Sequence, residues 1–90
     1  MRQRIIVHGH VQGVGFRQYT RLVALRMGVR GWVRNRADGT VEIDAQAPAS
    51  KMERFVEAVR KGSPASTVDR LETQNQTPTN RFQDFRIRYS

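Results

Sequence analysis

The chain has 90 residues, 38% of them hydrophobic and 27% charged, with no cysteine and a formal net charge of +8. A chain of this length is one small domain that buries only about 60–65% of its unfolded surface, and the lack of cysteine excludes disulfides, a thiol nucleophile and thiolate zinc sites while fitting a reducing compartment. Sixteen residues are Lys or Arg, all arginine except Lys51 and Lys61, so the field attracts anions, whether phosphorylated metabolites or nucleic acid.

Residues 2–11 hold the β-branched cluster Ile5, Ile6, Val7 and Val11 and read as a strand running into glycines. The three-residue apolar run Ile5–Val7 is too short for a signal-peptide core, and no run approaches the ~20 residues of a membrane span. The expectation is a soluble, cytoplasmic protein with no membrane partner. From Phe16 to Met27, the apolar residues Phe16, Tyr19, Val23 and Met27 form one helical stripe. Gly28 is the expected stop, with Arg26 in the last turn suiting the helix dipole. Residues 30–36 and 40–46 read as two strands, with Asp38-Gly39 as the hairpin turn between them. In the second strand Val41, Ile43 and Ala45 alternate with Glu42 and Asp44.

Pro48-Ala49-Ser50 opens a second helix. Ser50 and Glu53 have capping-box spacing, and Met52, Phe55, Val56 and Val59 make its apolar face. Val68 and Leu71 suggest a weaker strand near 66–74, and residues 75–80 read as a loop. Phe85, Ile87 and Tyr89 alternate with Asp84, Arg86 and Arg88 in a last strand with one buried face. The order β-α-β-β-α-β-β predicts an α+β fold. It is expected to be a ferredoxin-like α/β sandwich, with two helices on one face of a mostly antiparallel sheet.

Residues 8–17, "HGHVQGVGFR", place three glycines within seven residues at a strand-to-helix junction. Gly13 and Gly15 can take backbone angles closed to other residues. Consecutive amides then form an anion nest, and the helix start adds free N–H groups and its positive dipole end. Arg17, in the first helical turn, opposes that dipole, so its placement serves something other than helix stability. A bound phosphate would be its partner. The bland alternative is a tight turn with a surface arginine. The loop is not a P-loop, which needs Lys-Ser/Thr where Phe16-Arg17 stand. It is not a dinucleotide fingerprint either, because Gln18 replaces the third glycine. No Asp or Glu precedes Asp38, so no Mg²⁺ ligand is evident.

Gly9–Arg17 ("GHVQGVGFR") and Gly31–Glu42 ("GWVRNRADGTVE") resemble the two signature segments of the acylphosphatases, and Phe85–Tyr89 ("FRIRY") resembles the closing strand of that family. The likeness spans nearly the whole chain and makes residues 1–90 a single acylphosphatase-like domain. It implies hydrolysis of the carboxyl–phosphate bond of acyl phosphates to carboxylate and phosphate, with no cofactor and no metal. By position, Arg17 corresponds to the phosphate-binding arginine and Asn35 to the asparagine that holds the attacking water. The amides of Gln12, Gly13, Val14, Gly15, Phe16 and Arg17 correspond to the phosphate cradle. One position departs from the family: where a glycine usually follows "GTVE", this chain has Ala47.

The chemistry of these residues agrees. A carboxylate is a good leaving group, and loose phosphoryl transfer needs mainly positioning and charge stabilisation. Asn35 can orient water but cannot take its proton, which leaves a phosphate oxygen of the substrate as the acceptor. Other residues carry plainer expectations. His8 and His10 form a His-x-His pair without an evident third metal ligand, and Phe16 and Trp32 are expected in the core.

Two other readings compete with the enzyme: a basic ferredoxin-like nucleic-acid-binding module, and a non-catalytic phosphate-binding or fused regulatory copy. The first needs stacking aromatics on central strands. Residues 2–11 and 40–46 have none, and the RNP1 pattern is missing, so no nucleic-acid partner is expected. Against the second, Met1 and the last strand suggest a free-standing enzyme, expected to be a monomer.

Overall fold

The computed structural model describes residues 1–89. The elements are β1 (Arg2–His10), α1 (Phe16–Met27), β2 (Arg30–Asn35), β3 (Val41–Gln46), α2 (Ala49–Lys61), β4 (Thr67–Gln76) and β5 (Phe85–Arg88). The five strands form one sheet in the order β4-β1-β3-β2-β5. Every pairing is antiparallel except β2 with β5, which is parallel. β1 and β2 thus flank β3 and are joined through α1, while β3 and β4 flank β1 and are joined through α2. Both crossovers place their helix on the same face, giving the expected ferredoxin-like sandwich.

The helices bury the stripes that their spacing implies. Phe16, Thr20 and Ala24 of α1, and Met52, Phe55 and Val59 of α2, pack on Ile5, Val7, Val33, Val41, Ile43 and Phe85 of the sheet. The rings of Phe55 and Phe85 lie 6.0 Å apart, so α2 reaches the strand that closes the sheet. The Tyr19 hydroxyl donates to the Ala58 carbonyl at 2.7 Å and ties the two helices together.

The opposite face has no helix, yet the central strand is buried on that side too. Glu42 and Asp44 are 5% and 6% exposed. Arginines from neighbouring strands cover them: Arg4 and Arg34 both reach Glu42, and Arg2 reaches Asp44 at 2.8 Å. The alternation in residues 40–46 therefore separates an apolar buried side from an ion-paired buried side.

Several local expectations are revised. The Ser50–Glu53 capping box does not form. Pro48 occupies the N-cap with φ −55°, so the helix starts at Ala49 and Ser50 already lies inside it. The weaker strand near 66–74 is the longest in the sheet, at ten residues. The last strand ends at Arg88, and Tyr89 is 82% exposed rather than buried. At Ala47 φ is not positive, and the backbone there exchanges hydrogen bonds with Met1, so an alanine fits.

Burial pushes the Glu42 carboxyl up, but hydrogen bonds from Arg4 and Arg34 outweigh it and hold it below the ordinary 4.5. A carboxylate depressed in the folded state adds stability above its unfolded value, and that stability is lost as pH falls through the folded value. Urea unfolding midpoints should therefore drop as pH falls through and below the ordinary value of 4.5. This drop should be visibly smaller in Glu42→Gln, and an unchanged pH profile in that variant would contradict the pairing.

Candidate active site

The turn between β1 and α1 has the backbone form that its glycines allow. Gly13 and Gly15 both have φ of 74°, in the left-handed region, and Gly15 is the N-cap of α1 with no side-chain cap. The first bond of the helix runs from the Tyr19 amide to the Gly15 carbonyl at 3.0 Å. Among the described residues, the amides of 12–18 meet no acceptor. No acidic residue stands in the first turn of α1. A row of N–H groups and a helix start thus stand without a described acidic residue in the first turn, an arrangement suited to an anion.

Arg17, half-buried on the first turn, adds a full positive charge at this place. It forms no ion pair among the described residues, and its guanidinium lies 5.2 Å from the centroid of the Tyr89 ring. Gly13, Gly15, Arg17, Gln18, Ile87 and Tyr89 line a small cleft of about 190 Å³ here. A larger groove of about 910 Å³ lies elsewhere, along α2 beside Met1, Met52 and Val56. Its lining mixes the apolar Met52 and Val56 with Glu53, Glu57, Arg54 and Arg60, and it includes none of the glycine-turn residues.

Asn35, the last residue of β2, shares the helix-facing side of the sheet with its partner Val41. Its Oδ1 is buried without a hydrogen-bond partner, as is the hydroxyl of Thr20. Buried polar atoms normally find partners, so this amide oxygen is open to a water or a ligand. Asn35 does not line the cleft beside Arg17. The two are linked instead through Gln12, whose side-chain amide donates to the carbonyls of Arg36 at 2.8 Å and Thr40 at 2.9 Å. This clamp holds the glycine turn against the β2–β3 hairpin. The hairpin is itself closed by Asp38, which accepts from the Thr40 hydroxyl at 2.6 Å and the Thr40 amide at 3.0 Å. Those two bonds hold the Asp38 carboxyl below its ordinary value of 3.8, so it is a poor base.

The other expected residues fall as follows. The ring of Phe16 is core, so only its amide can serve the turn, and Val14 packs against that core. The Val14 carbonyl accepts from the Ser63 hydroxyl at 3.4 Å. His8 pairs with Glu72 at 2.8 Å and His10 is exposed. No group of three His, Cys, Asp or Glu able to hold a metal exists among the described residues. Trp32 is not in the core. It is half-buried on the far face of the sheet, with the Arg88 guanidinium over it. The Gln12 clamp and the buried Thr20 hydroxyl escaped the sequence reading. Only helical spacing from Phe16 hinted that Thr20 points inward.

A helix start without a side-chain cap, two left-handed glycines and an arginine that pairs with no described carboxylate thus lie together on a ferredoxin-like sandwich. The family model described as Acylphosphatase matches residues 3–87. The acylphosphatase of Bacillus licheniformis is 44% identical over 99% of both chains. The crystal structure of the acylphosphatase from Bacillus subtilis superposes with a TM-score of 0.94 at 43% identity, over 98% of each chain. The crystal structure of T. kodakarensis HypF matches all of this chain but only 12% of its own length, with a TM-score of 0.87 at 32% identity. The chain belongs to the acylphosphatase family of enzymes. No helix among the described residues is long and apolar enough to cross a membrane.

The Gln12 clamp has a measurable weight. Gln12→Ala should destabilise the fold by roughly 1–3 kcal/mol, since it removes two part-buried hydrogen bonds worth about 0.5–1.5 kcal/mol each. Urea unfolding reads this, and a change within error would show that the hairpin and the turn hold their places independently.

Proposed function

We propose that the chain hydrolyses acyl phosphates at the carboxyl–phosphate bond, releasing carboxylate and inorganic phosphate, as a cytoplasmic monomer that needs no metal. One observation carries the reading: among the described residues, the amides after Gly13 and Gly15 and the Arg17 guanidinium at the start of α1 meet no partner and share one cleft. The phosphoryl oxygens sit on the amides of residues 12–17 and take a forked contact from Arg17. These donors are already in place, so charge that builds on the phosphoryl group is met without reorganisation.

Asn35 orients the attacking water through its side-chain amide. The P–O bond to the carboxylate breaks as the water oxygen bonds to phosphorus, and the carboxylate leaves with the electron pair. The water proton passes to a phosphoryl oxygen. Asp38, committed to Thr40 and held in its ionised form, is not needed as the base.

Hydrolysis of benzoyl phosphate in EDTA tests this directly. Wild type should be active, and Arg17→Ala and Asn35→Ala should each lose roughly 10²-fold or more. A folded but inactive wild type would sink the reading. The pH dependence of the rate should be unchanged in His8→Gln and in His10→Gln. A pH-dependent step lost in either variant would mark a histidine base and remove substrate-assisted proton transfer.

A further inference from the structure

The face of the sheet turned away from the helices carries its own concentration of charge. Strand alternation places Arg30, Trp32 and Arg34 of β2 on this face. The parallel register sets Trp32 opposite Arg86 of β5 and Arg34 opposite Arg88. The guanidinium carbons of Arg88 and Arg34 lie 4.6 and 5.9 Å from the centroid of the Trp32 ring. Phe82, in the loop before β5, lies under the Arg2 guanidinium at 5.2 Å. Trp32, Arg81, Phe82, Asp84, Arg86 and Arg88 enclose a shallow depression of about 240 Å³.

Ion pairing does not neutralise this patch. Asp84 takes Arg86 at 3.0 Å, Glu42 takes Arg34 at 2.7 Å and Asp44 takes Arg2 at 2.8 Å. Among the described residues, Arg30, Arg81 and Arg88 pair with no carboxylate. Part of this charge protects an edge strand from pairing with another sheet. Edge protection needs only solvated charge, however. Planar cations stacked on an indole and a phenyl ring are a different arrangement. An acidic peptide would use the cations and leave the rings idle. A single-stranded nucleic acid uses both, with bases on the rings and phosphates on the guanidiniums.

The expectation of no nucleic-acid partner rested on residues 2–11 and 40–46, which lack aromatics, and on the missing RNP1 pattern. The platform lies on β2 instead, a strand inside the sheet. We propose that this face binds single-stranded nucleic acid. One base stacks on Trp32 as Arg88 moves from the ring to a phosphate, and Arg30 and Arg81 hold neighbouring phosphates. The surface lies across the sheet from the glycine turn, so binding there leaves Arg17 free.

Trp32 is the only tryptophan, so its fluorescence reports on the site. The full chain is titrated with a uridine oligonucleotide of about ten nucleotides, a length within the usual span of such sheets. Saturable quenching is expected, and log affinity should fall against log salt with a slope of about −2, as for three phosphates of a single strand. Arg17→Ala should bind like wild type, whereas Arg81→Gln with Arg88→Gln should lose roughly tenfold or more in affinity. With a labelled oligonucleotide followed by anisotropy, Trp32→Leu should lose roughly tenfold as well. Absent quenching overturns the proposal. So does heparin, which has no bases, binding as tightly as the oligonucleotide, or a folded Trp32→Leu that binds like wild type. If Trp32→Leu fails to fold, the double arginine variant decides: unchanged affinity overturns the proposal and a tenfold loss supports it.

Discussion

The amide-rich turn between β1 and α1 can leave its N–H groups unpaired only because other bonds hold it in shape. Such a turn would otherwise collapse onto its own carbonyls or open into solvent, since glycine loses more freedom on ordering than any other residue. The Gln12 side chain supplies the restraint by gripping two carbonyls of the β2–β3 hairpin. Phe16, fully buried one residue after Gly15, fixes the start of α1 from the other side. Backbone that spends its donors on nothing internal is therefore bracketed by one polar clamp and one apolar anchor. The same clamp fixes the distance from the turn to the strand end that carries Asn35.

The fold supports this bracket with two differently built layers. On the helix side, apolar stripes interlock in the ordinary way. On the far side, the central strand buries two carboxylates beneath arginines from β1 and β2. Breaking such pairs is costly because it leaves a buried charge alone. The strands that end at the site are thus held in register from both faces. The two layers also divide the arginines by role: some cover acids in the sheet, one stands at the glycine turn, and three near Trp32 pair with nothing described.

Much of this was legible in the sequence, for physical reasons that differ from element to element. The Phe16–Met27 and Ala49–Lys61 helices showed because their apolar spacing is what the core selects. The hairpin showed because Asp-Gly is specific turn chemistry. β4 was underestimated because its stability comes from pairing with β1 along nearly its whole length, while only a few of its own side chains reach the core. A distant partner leaves little local trace. The capping box failed because Pro48, with its fixed φ, took the N-cap two residues earlier. Trp32 was misplaced although the signal was present: it has the same strand parity as Arg30 and Arg34, opposite to buried Val33. For the candidate site, the motifs pointed to Arg17, Asn35 and the turn. The Gln12 clamp could not be read, because a side chain reaching carbonyls more than twenty residues away has no spacing signature.

The central claim is that the turn at residues 12–17 is a ready-made seat for one phosphate. Amide NMR during titration of inorganic phosphate tests it most directly, because it reads each N–H separately. The account predicts saturable shifts concentrated at the amides of Gln12–Arg17 and the side chain of Asn35, abolished in Arg17→Ala without loss of the folded spectrum. Shifts spread evenly over the arginine-rich surface, or none at the turn, would contradict it.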